Sequence, residues 1–224
     1  MEIENKNLNN TLKVEKGNIL ERIASHLIIN ASFLPDLSLY HGKMGIVLFF
    51  AHYARYTRET LYDDFAGELL DEIYEEIHTD IPVNFESGLC GIGWAIEYLV
   101  WNKFAEGDVA EILEDIDLRI MERDPLRIKD LRLRTGLAGI AYYVAAHIPD
   151  INKNTTVLDT GYLRNLQEAI CKAELKEKRE NQLSFPAFLL EKNTIEIEND
   201  TDISTLPLGI TNGISGVGLK YMIK

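Results

Sequence analysis

The sequence predicts an all-α fold built from repeated helix pairs, and two observations carry that prediction. A Gly-x-x-Gly motif that leads directly into an apolar segment occurs four times. The stretches between the motifs are amphipathic, with apolar residues at three- and four-residue steps and charged residues between them. A two-part helical unit that recurs along the chain is typical of helical repeat proteins.

The four motif-bearing segments predict buried inner helices, because they are apolar nearly all round. The first glycines stand at positions 42, 88, 136 and 213, so successive motifs begin 46, 48 and 77 residues apart. The first two intervals suit one helical hairpin per repeat, and the third leaves room for an insertion of about thirty residues. The segments are LYHGKMGIVLFFAHYAR (39–55), FESGLCGIGWAIEYLVW (85–101), LRTGLAGIAYYVAAHI (133–148) and ITNGISGVGLKYMIK (210–224).

The amphipathic stretches predict a second, outer set of helices. They cover residues 59–78, 108–122 and 159–178, and a matching stretch that contains Ile19 to Ile28 precedes the first motif. Alternating outer and inner helices are best satisfied by two concentric layers. The predicted architecture is therefore an α/α toroid, as a partial or reduced ring.

The domain prediction has two parts. The N-terminal residues 1–10 are polar and acidic, and residues 1–16 are expected to form a disordered N-terminal segment. Residues 17–224 are expected to form the toroid domain. Within that domain, residues 184–209 are interpreted as a loop with a short extended stretch at 194–198, where apolar and polar residues alternate. This insertion could cap an open edge of the ring.

Composition excludes several classes of protein. The net charge of −13 opposes binding to a phosphate backbone, so no nucleic-acid partner is expected. The acidity could attract a basic peptide, but solubility is the simpler explanation. No apolar run approaches the roughly 20 residues that cross a bilayer, and no signal peptide is evident, so a cytoplasmic protein without a membrane partner is expected.

The glycines of the motifs are interpreted as packing and turn residues. Glycine offers a ligand only its backbone groups, whereas it permits turns and close helix packing that a side chain would obstruct. No Lys-Ser or Lys-Thr completes a phosphate-binding loop. The structural repeat glycines are Gly42, Gly45, Gly88, Gly91, Gly136, Gly139, Gly213 and Gly216.

The repeats SGLCGIGWAIEYL, TGLAGIAYYVAAH and NGISGVGLKYM resemble the inner-helix repeats of the lanthionine synthetase C-like family, the cyclases of lanthipeptide biosynthesis. The resemblance implies an α/α toroid, with seven helix pairs in full-length members. It also implies a zinc ion that activates a peptide cysteine thiolate for addition to a dehydroalanine or dehydrobutyrine. Zinc suits that reaction because it lowers the thiol pKa without redox activity.

The sequence departs from the family at the zinc ligands. The family's two cysteines and one histidine stand directly before the glycine motifs of late repeats, whereas the matching pairs here are Tyr40-His41, Glu86-Ser87, Arg134-Thr135 and Thr211-Asn212. Among these only His41 ligates zinc readily, and the two cysteines, Cys90 and Cys171, match no ligand position. Neither lies in a CxxC pair, and both are expected to be reduced thiols. No metal and no other cofactor are therefore predicted, and the candidate rim residues are His41, Glu86, Arg134 and Asn212.

The sequence contains four predicted helix pairs, whereas full-length members of the family have seven. We therefore expect a ring that does not close by itself. An open arc leaves apolar faces at its ends, so a homo-oligomer is a reasonable expectation. The sequence otherwise predicts a protein that has lost zinc and serves as a binding or assembly partner in the maturation of ribosomal peptides. Its expected partner is a precursor peptide or a peptide-maturation enzyme.

Two enzymatic alternatives remain open. One is an active cyclase that borrows ligands from a second subunit. The other is a carbohydrate-acting toroid, in which Glu86 and Asp130 near the starts of inner helices would serve as acid and base. His52 and His147 fall on inner helices, where hydrogen-bonded core histidines are expected.

Overall fold

The computed structural model of the chain describes residues 2–77, 80–148, 158–174, 185–191 and 193–223. Within these ranges, side chains are described from Val14 onward. All regular secondary structure within these ranges is helical, so the all-α fold class is confirmed. No helix in the described ranges combines the length and apolarity needed to cross a membrane. The helices are α1 (Glu2–Asn30), α2 (Lys43–Thr57), α3 (Thr60–Glu76), α4 (Leu89–Trp101), α5 (Val109–Ile112), α6 (Glu114–Met121), α7 (Leu137–His147), α8 (Thr160–Lys172), α9 (Phe188–Glu191) and α10 (Ile214–Met222), with 3-10 turns at Ala31–Phe33 and Pro125–Arg127.

The predicted inner helices are α2, α4, α7 and α10, and each begins directly after the first glycine of its motif. All eleven residues from Leu89 to Leu99 of α4 are buried. The outer helices bury only one stripe, which in α8 comprises Tyr162, Leu166 and Ala169. The predicted difference between inner and outer helices is thus confirmed.

Two details differ from the sequence prediction or extend beyond it. The outer helix predicted over 108–122 is divided into α5 and α6, because Leu113 leaves helical geometry with φ −95° and ψ 0° while its side chain is fully buried. At the N-terminus, α1 runs across the boundary predicted after residue 16, and the assignment of residues 1–16 as a disordered segment stays a prediction.

The chain forms two compact units. Unit 1 comprises Met1–Asp36, His41–Glu72 and Ala187–Lys224, and unit 2 comprises Leu37–Tyr40 and Ile73–Pro186. In unit 1, α10 packs against α2, α1 and α9, so the helices of the first and fourth motifs are neighbours. In unit 2, α4 packs against α7 and α6, and α8 packs against α7.

Each motif begins its helix with the same backbone contact. The N–H that follows the first glycine donates to the carbonyl six residues before that glycine, at 2.7 Å for Lys43 to Asp36 and 2.8 Å for Leu89 to Pro82. Because the first N–H groups of a helix have no partner within it, this contact completes the helix start. The same bond joins Leu137 to Asp130 and Ile214 to Pro207, each at 2.8 Å.

The close approach of these carbonyls explains the glycines. A β-carbon on Gly88 would overlap the carbonyl oxygen of Pro82, and one on Gly91 would overlap that of Phe85. Both carbonyls belong to residues six positions earlier, so two successive approaches produce two glycines three residues apart. The third and fourth motifs repeat the crowding at Gly136, Gly139, Gly213 and Gly216. The interpretation of these glycines as packing and turn residues agrees with this geometry.

The described part of the insertion before the fourth motif is a loop with one short helix, α9. Residues 193–198 form no strand, so the alternation at 194–198 does not produce one. Arg22 of α1 fastens this loop, because its guanidinium donates to the carbonyl oxygens of Glu198, Asn199 and Thr201 at 2.5–3.0 Å. The part of the insertion around residues 198–201 therefore packs against α1 within unit 1.

Candidate functional site

Two of the four predicted rim residues, Glu86 and Arg134, form an ion pair in unit 2. Glu86 lies two residues before the glycine that caps α4, and Arg134 lies two residues before the glycine that caps α7. Nη1 of Arg134 donates a 2.6 Å hydrogen bond to Oε1 of Glu86. Only 24% and 20% of the two side chains is exposed, so the pair is largely shielded from water.

The backbone holds this pair rigidly. The carbonyl of Arg134 accepts hydrogen bonds from the N–H groups of Phe85 and Glu86, at 3.1 and 2.8 Å, and the carbonyl of Glu86 accepts one from Tyr40 at 3.3 Å. The guanidinium of Arg134 also lies 4.5 Å from the centre of the buried Tyr40 ring, which is within cation–π distance. Burial raises the pKa of Tyr40 far above its ordinary value, so the ring stays neutral. The loops before the first, second and third motifs are thereby joined.

Asp130, proposed with Glu86 as an acid–base pair, is engaged by two neighbours. Arg132 approaches its carboxylate at 2.8 Å, and the Thr135 hydroxyl donates to it at 2.7 Å. These hydrogen bonds hold the pKa of Asp130 far below its usual range. A general acid must carry a proton near neutral pH. Asp130 therefore does not suit the acid role of such a pair, and Glu86 is engaged by Arg134.

The other two rim candidates lie in unit 1. His41 is exposed, and the backbone of Gly209 passes so close that a β-carbon there would lie 2.6 Å from the Cα of His41. Asn212 is in the left-handed conformation, with φ 48°, and its Oδ1 accepts a 3.3 Å hydrogen bond from the Thr194 N–H. Asn212 thus supports the turn before α10.

A second polar cluster, in the core of unit 2, joins three helices. His147 at the end of α7 contacts two carboxylates at once: Nδ1 meets Glu97 of α4, and Nε2 lies 2.9 Å from Oδ2 of Asp117 on α6. The Tyr143 hydroxyl donates a 2.6 Å hydrogen bond to Oδ1 of Asp117. Asp117 is completely buried, and only 4% of the His147 side chain is exposed. His147 is thus a core histidine, as expected, although its ionic partners were not foreseen.

The electrostatics of this cluster favour a charged imidazole. Burial acts to lower the pKa of His147, but the pairing with Asp117 and Glu97 outweighs it and raises the pKa to about 9. Burial raises the pKa values of Tyr143 and Cys90 well above their ordinary values, and the charge of Asp117 adds to both shifts. At neutral pH the cluster therefore contains a neutral phenol, a neutral thiol and an imidazolium.

The comparison with known protein families decides the identity of the fold. Residues 35–219 match the family model described as lanthionine synthetase C-like protein, which is most of the chain. The chain belongs to the lanthionine synthetase C-like family. No curated protein sequence gives a significant match. The predicted membership of this family is thus confirmed.

Among the described residues of this lanthionine synthetase C-like chain, the candidate ligands do not fit the zinc that the cyclases carry. Cys90 is fully buried on α4 with a raised pKa, whereas a zinc ligand must be a thiolate. Cys171 is exposed on α8 of unit 2, and His41 belongs to unit 1. In the described ranges, no three histidine, cysteine, aspartate or glutamate side chains are arranged to hold a metal ion.

Sequence reasoning named Glu86 and Arg134 but missed two residues that support the motifs. Tyr40 was noted only as the neighbour of His41, although its ring underlies Arg134. Asn193 lies in the insertion, and its buried amide donates to the carbonyls of Ile210 and Gly213 at 2.8 and 2.7 Å. The position of an aromatic residue directly before a motif could have identified Tyr40 as a support for that motif. No nearby sequence pattern distinguishes Asn193.

Proposed function

We propose that this lanthionine synthetase C-like protein serves in the maturation of ribosomal peptides as a peptide-binding or assembly partner, without zinc-dependent cyclisation. One observation carries the proposal. Glu86 and Arg134 stand directly before the second and third glycine motifs, the place within a repeat where late repeats of the cyclases carry zinc ligands, and here they are paired with each other beside Tyr40. A site already occupied by its own ion pair provides no thiolate or imidazole for a metal.

The state of the two cysteines supports the same conclusion. Zinc-bound peptide cyclisation needs about three protein ligands and an open position for the incoming thiolate. The protonated thiol of Cys90 lies within the second motif and is fully buried, so it packs as a small apolar group. Cys171 lies exposed on the outer helix α8.

The family membership supports a role with peptides, and the cytoplasmic location expected from the sequence is part of this proposal. The acidic surface, with a net charge of −13, is consistent with a peptide partner and opposes a nucleic-acid partner. We infer that a precursor peptide, or an enzyme that acts on it, contacts unit 2 at the loops before the second and third motifs, where Glu86 and Arg134 lie.

The test combines metal content with a cyclisation assay. The purified full chain is dialysed against zinc chloride and then against zinc-free buffer. The zinc that remains bound is measured by elemental mass spectrometry. A synthetic peptide with one dehydroalanine and one cysteine, labelled with a fluorophore, reports binding by anisotropy. Thioether formation leaves the peptide mass unchanged but consumes the thiol, so alkylation with iodoacetamide distinguishes ring from open peptide.

We expect the purified protein to retain less than one zinc ion per chain. We also expect the peptide to bind the protein and to keep a thiol that iodoacetamide can alkylate. Stoichiometric zinc that is lost in His41→Ala, together with loss of the peptide thiol, would overturn the proposal. That result would favour a cyclase that takes its remaining ligands from a second subunit. The matched control is His52→Ala, because His52 lies on α2 rather than at a motif.

A further inference from the structure

The buried cluster around His147 is not used by the proposed peptide site, and its geometry carries a separate inference. One imidazole ring from α7 contacts a carboxylate from α4 and a carboxylate from α6. Each contact crosses from one helix to another, so the ring is a shared partner of three elements. Buried charges are tolerated only when they are paired.

The charge balance of the cluster depends on the ring. With His147 protonated, one positive charge faces the carboxylates of Glu97 and Asp117. Without the proton, two carboxylates would remain in the core with no cation between them, and Asp117 is completely inaccessible to water. Leaving a buried charge unpaired costs several kcal/mol in comparable cores.

The surrounding groups do not compensate for the lost proton. Cys90 of α4, Tyr143 of α7 and Tyr162 of α8 all interact electrostatically with Asp117, and burial keeps each of them neutral. Arg119, the cation that follows on α6, pairs with Glu122 at 3.4 Å. The imidazole is thus the group in this cluster whose charge changes between neutral and alkaline pH.

We propose that the doubly paired His147 imidazolium is a proton-dependent lock that holds α4, α6 and α7 together, and that loss of its proton loosens the α4–α7 pair. The lock acts on α4 and α7, the two inner helices that begin shortly after Glu86 and Arg134. Its role is conformational and independent of whether the protein binds a peptide.

The direction of the pH dependence follows from linkage. Because the folded protein raises the pKa of His147 to about 9 from an unfolded value of 6.5, the folded state binds this proton more tightly. The resulting stabilisation is present in full below about pH 6.5 and is lost as the pH rises through about 9. The lock therefore opens on the alkaline side.

The two tryptophans provide the measurement, because both lie on α4. Trp94 is completely buried, whereas 57% of Trp101 is exposed. In the Trp101→Phe variant, acrylamide quenching reports Trp94 alone. We expect its quenching constant to rise roughly twofold or more between pH 7.5 and 10, because local opening exposes buried groups. The same rise should be absent when His147→Gln is added.

Two further variants test the mechanism. Glu97→Gln removes one carboxylate and should move the midpoint of the transition to lower pH, because the imidazolium loses a partner. His52→Gln, on α2 of unit 1, should leave the midpoint unchanged. Should His147→Gln fail to fold, the ring proton resonances of His147 in the Trp101→Phe protein report its titration directly.

The proposal is overturned by any of three results. The first is a titration midpoint of His147 near pH 6.5 in the folded protein. The second is a pH-dependent change in Trp94 quenching that persists in His147→Gln. The third is titration of His147 without any change in the quenching of Trp94. In the last case the imidazole loses its proton without loosening the helices, and no lock exists.

Discussion

The N–H of Leu89 donates a 2.8 Å hydrogen bond to the carbonyl oxygen of Pro82, which lies six residues before the glycine that caps α4. The same spacing recurs at the starts of the other three inner helices. Helix N-termini bind anions in many proteins through their free N–H groups. Here the preceding loop occupies the leading N–H group of each inner helix, so the glycine motif serves the fold.

This geometry predicts that alanine is not tolerated at the second glycine of a motif. In Gly91→Ala the new methyl group overlaps the Phe85 carbonyl and lies 3.1 Å from the Leu39 side chain, so backbone must shift. We expect a loss of roughly 1–3 kcal/mol in the free energy of unfolding, measured by urea denaturation. Gly67→Ala is the matched control, because nothing lies within 4 Å of its β-carbon.

The control should change in the opposite direction. Gly67 lies in the middle of α3, where alanine is favoured over glycine by about 0.5–1 kcal/mol. If Gly91→Ala were as stable as Gly67→Ala, the carbonyl contact would not explain the motif.

The helices could be predicted from the sequence because their signals are local. The outer helix α8, for example, places Leu166 and Ala169 on one face at a three-residue step. The inner helix α4 is apolar nearly all round, with Glu97 as its charged residue, and this pattern predicts burial without identifying the neighbouring helices. The break at Leu113 in the outer helix predicted over 108–122 could not be predicted from the sequence, because the apolar spacing continues across it.

The site could be predicted only in part because its contacts are distant in sequence. Glu86 and Arg134 were identified singly from their places before the glycines, but their ion pair depends on two loops that meet in the fold. The partners of His147 come from two other helices, and no pattern within α7 names Glu97 or Asp117. Tertiary packing decides such contacts, whereas periodicity does not.

Asn193→Ala should destabilise the start of α10. The buried amide of Asn193 donates to the carbonyls of Ile210 and Gly213, and alanine would leave both acceptors without this partner. We expect the free energy of unfolding to fall by roughly 1–3 kcal/mol, since a buried group that loses its partner keeps its desolvation cost. Asn199→Ala is the control, because Asn199 is exposed in the same insertion and surface changes are usually within about 0.5 kcal/mol. Equal effects of the two substitutions would contradict the assigned role.

The ion pair between Glu86 and Arg134 should show a measurable coupling energy. A double-mutant cycle with Glu86→Gln and Arg134→Gln isolates it, and we expect about 1–2 kcal/mol, because the shielded charged hydrogen bond is weakly screened. The exposed pair of Glu168 and Lys172 on α8 is the control and should show no measurable coupling. A coupling at Glu86 and Arg134 that vanishes in moderate salt would show that the pair is open to solvent.

His52 should make the protein less stable in acid. Burial lowers the pKa of His52 to about 4, and the nearby charge of Arg55 acts in the same direction. The unfolded chain therefore takes up this proton near pH 6.5, before the folded chain does, and the free energy of unfolding falls as the pH decreases from about 6.5 to about 4. After allowance for partial exposure of the ring, we expect this residue to contribute roughly 2 kcal/mol over that range.

The measurement is urea denaturation at intervals between pH 4.5 and 7.5 for the wild type and for His52→Gln. Other groups also titrate in this range, so the informative quantity is the difference between the two curves. That difference should change in favour of the variant as the pH falls, because glutamine takes up no proton in either state. Parallel curves would mean that His52 is not desolvated in the folded protein. A difference of the opposite sign would mean that its charged form is stabilised, as it is for His147 in the other unit.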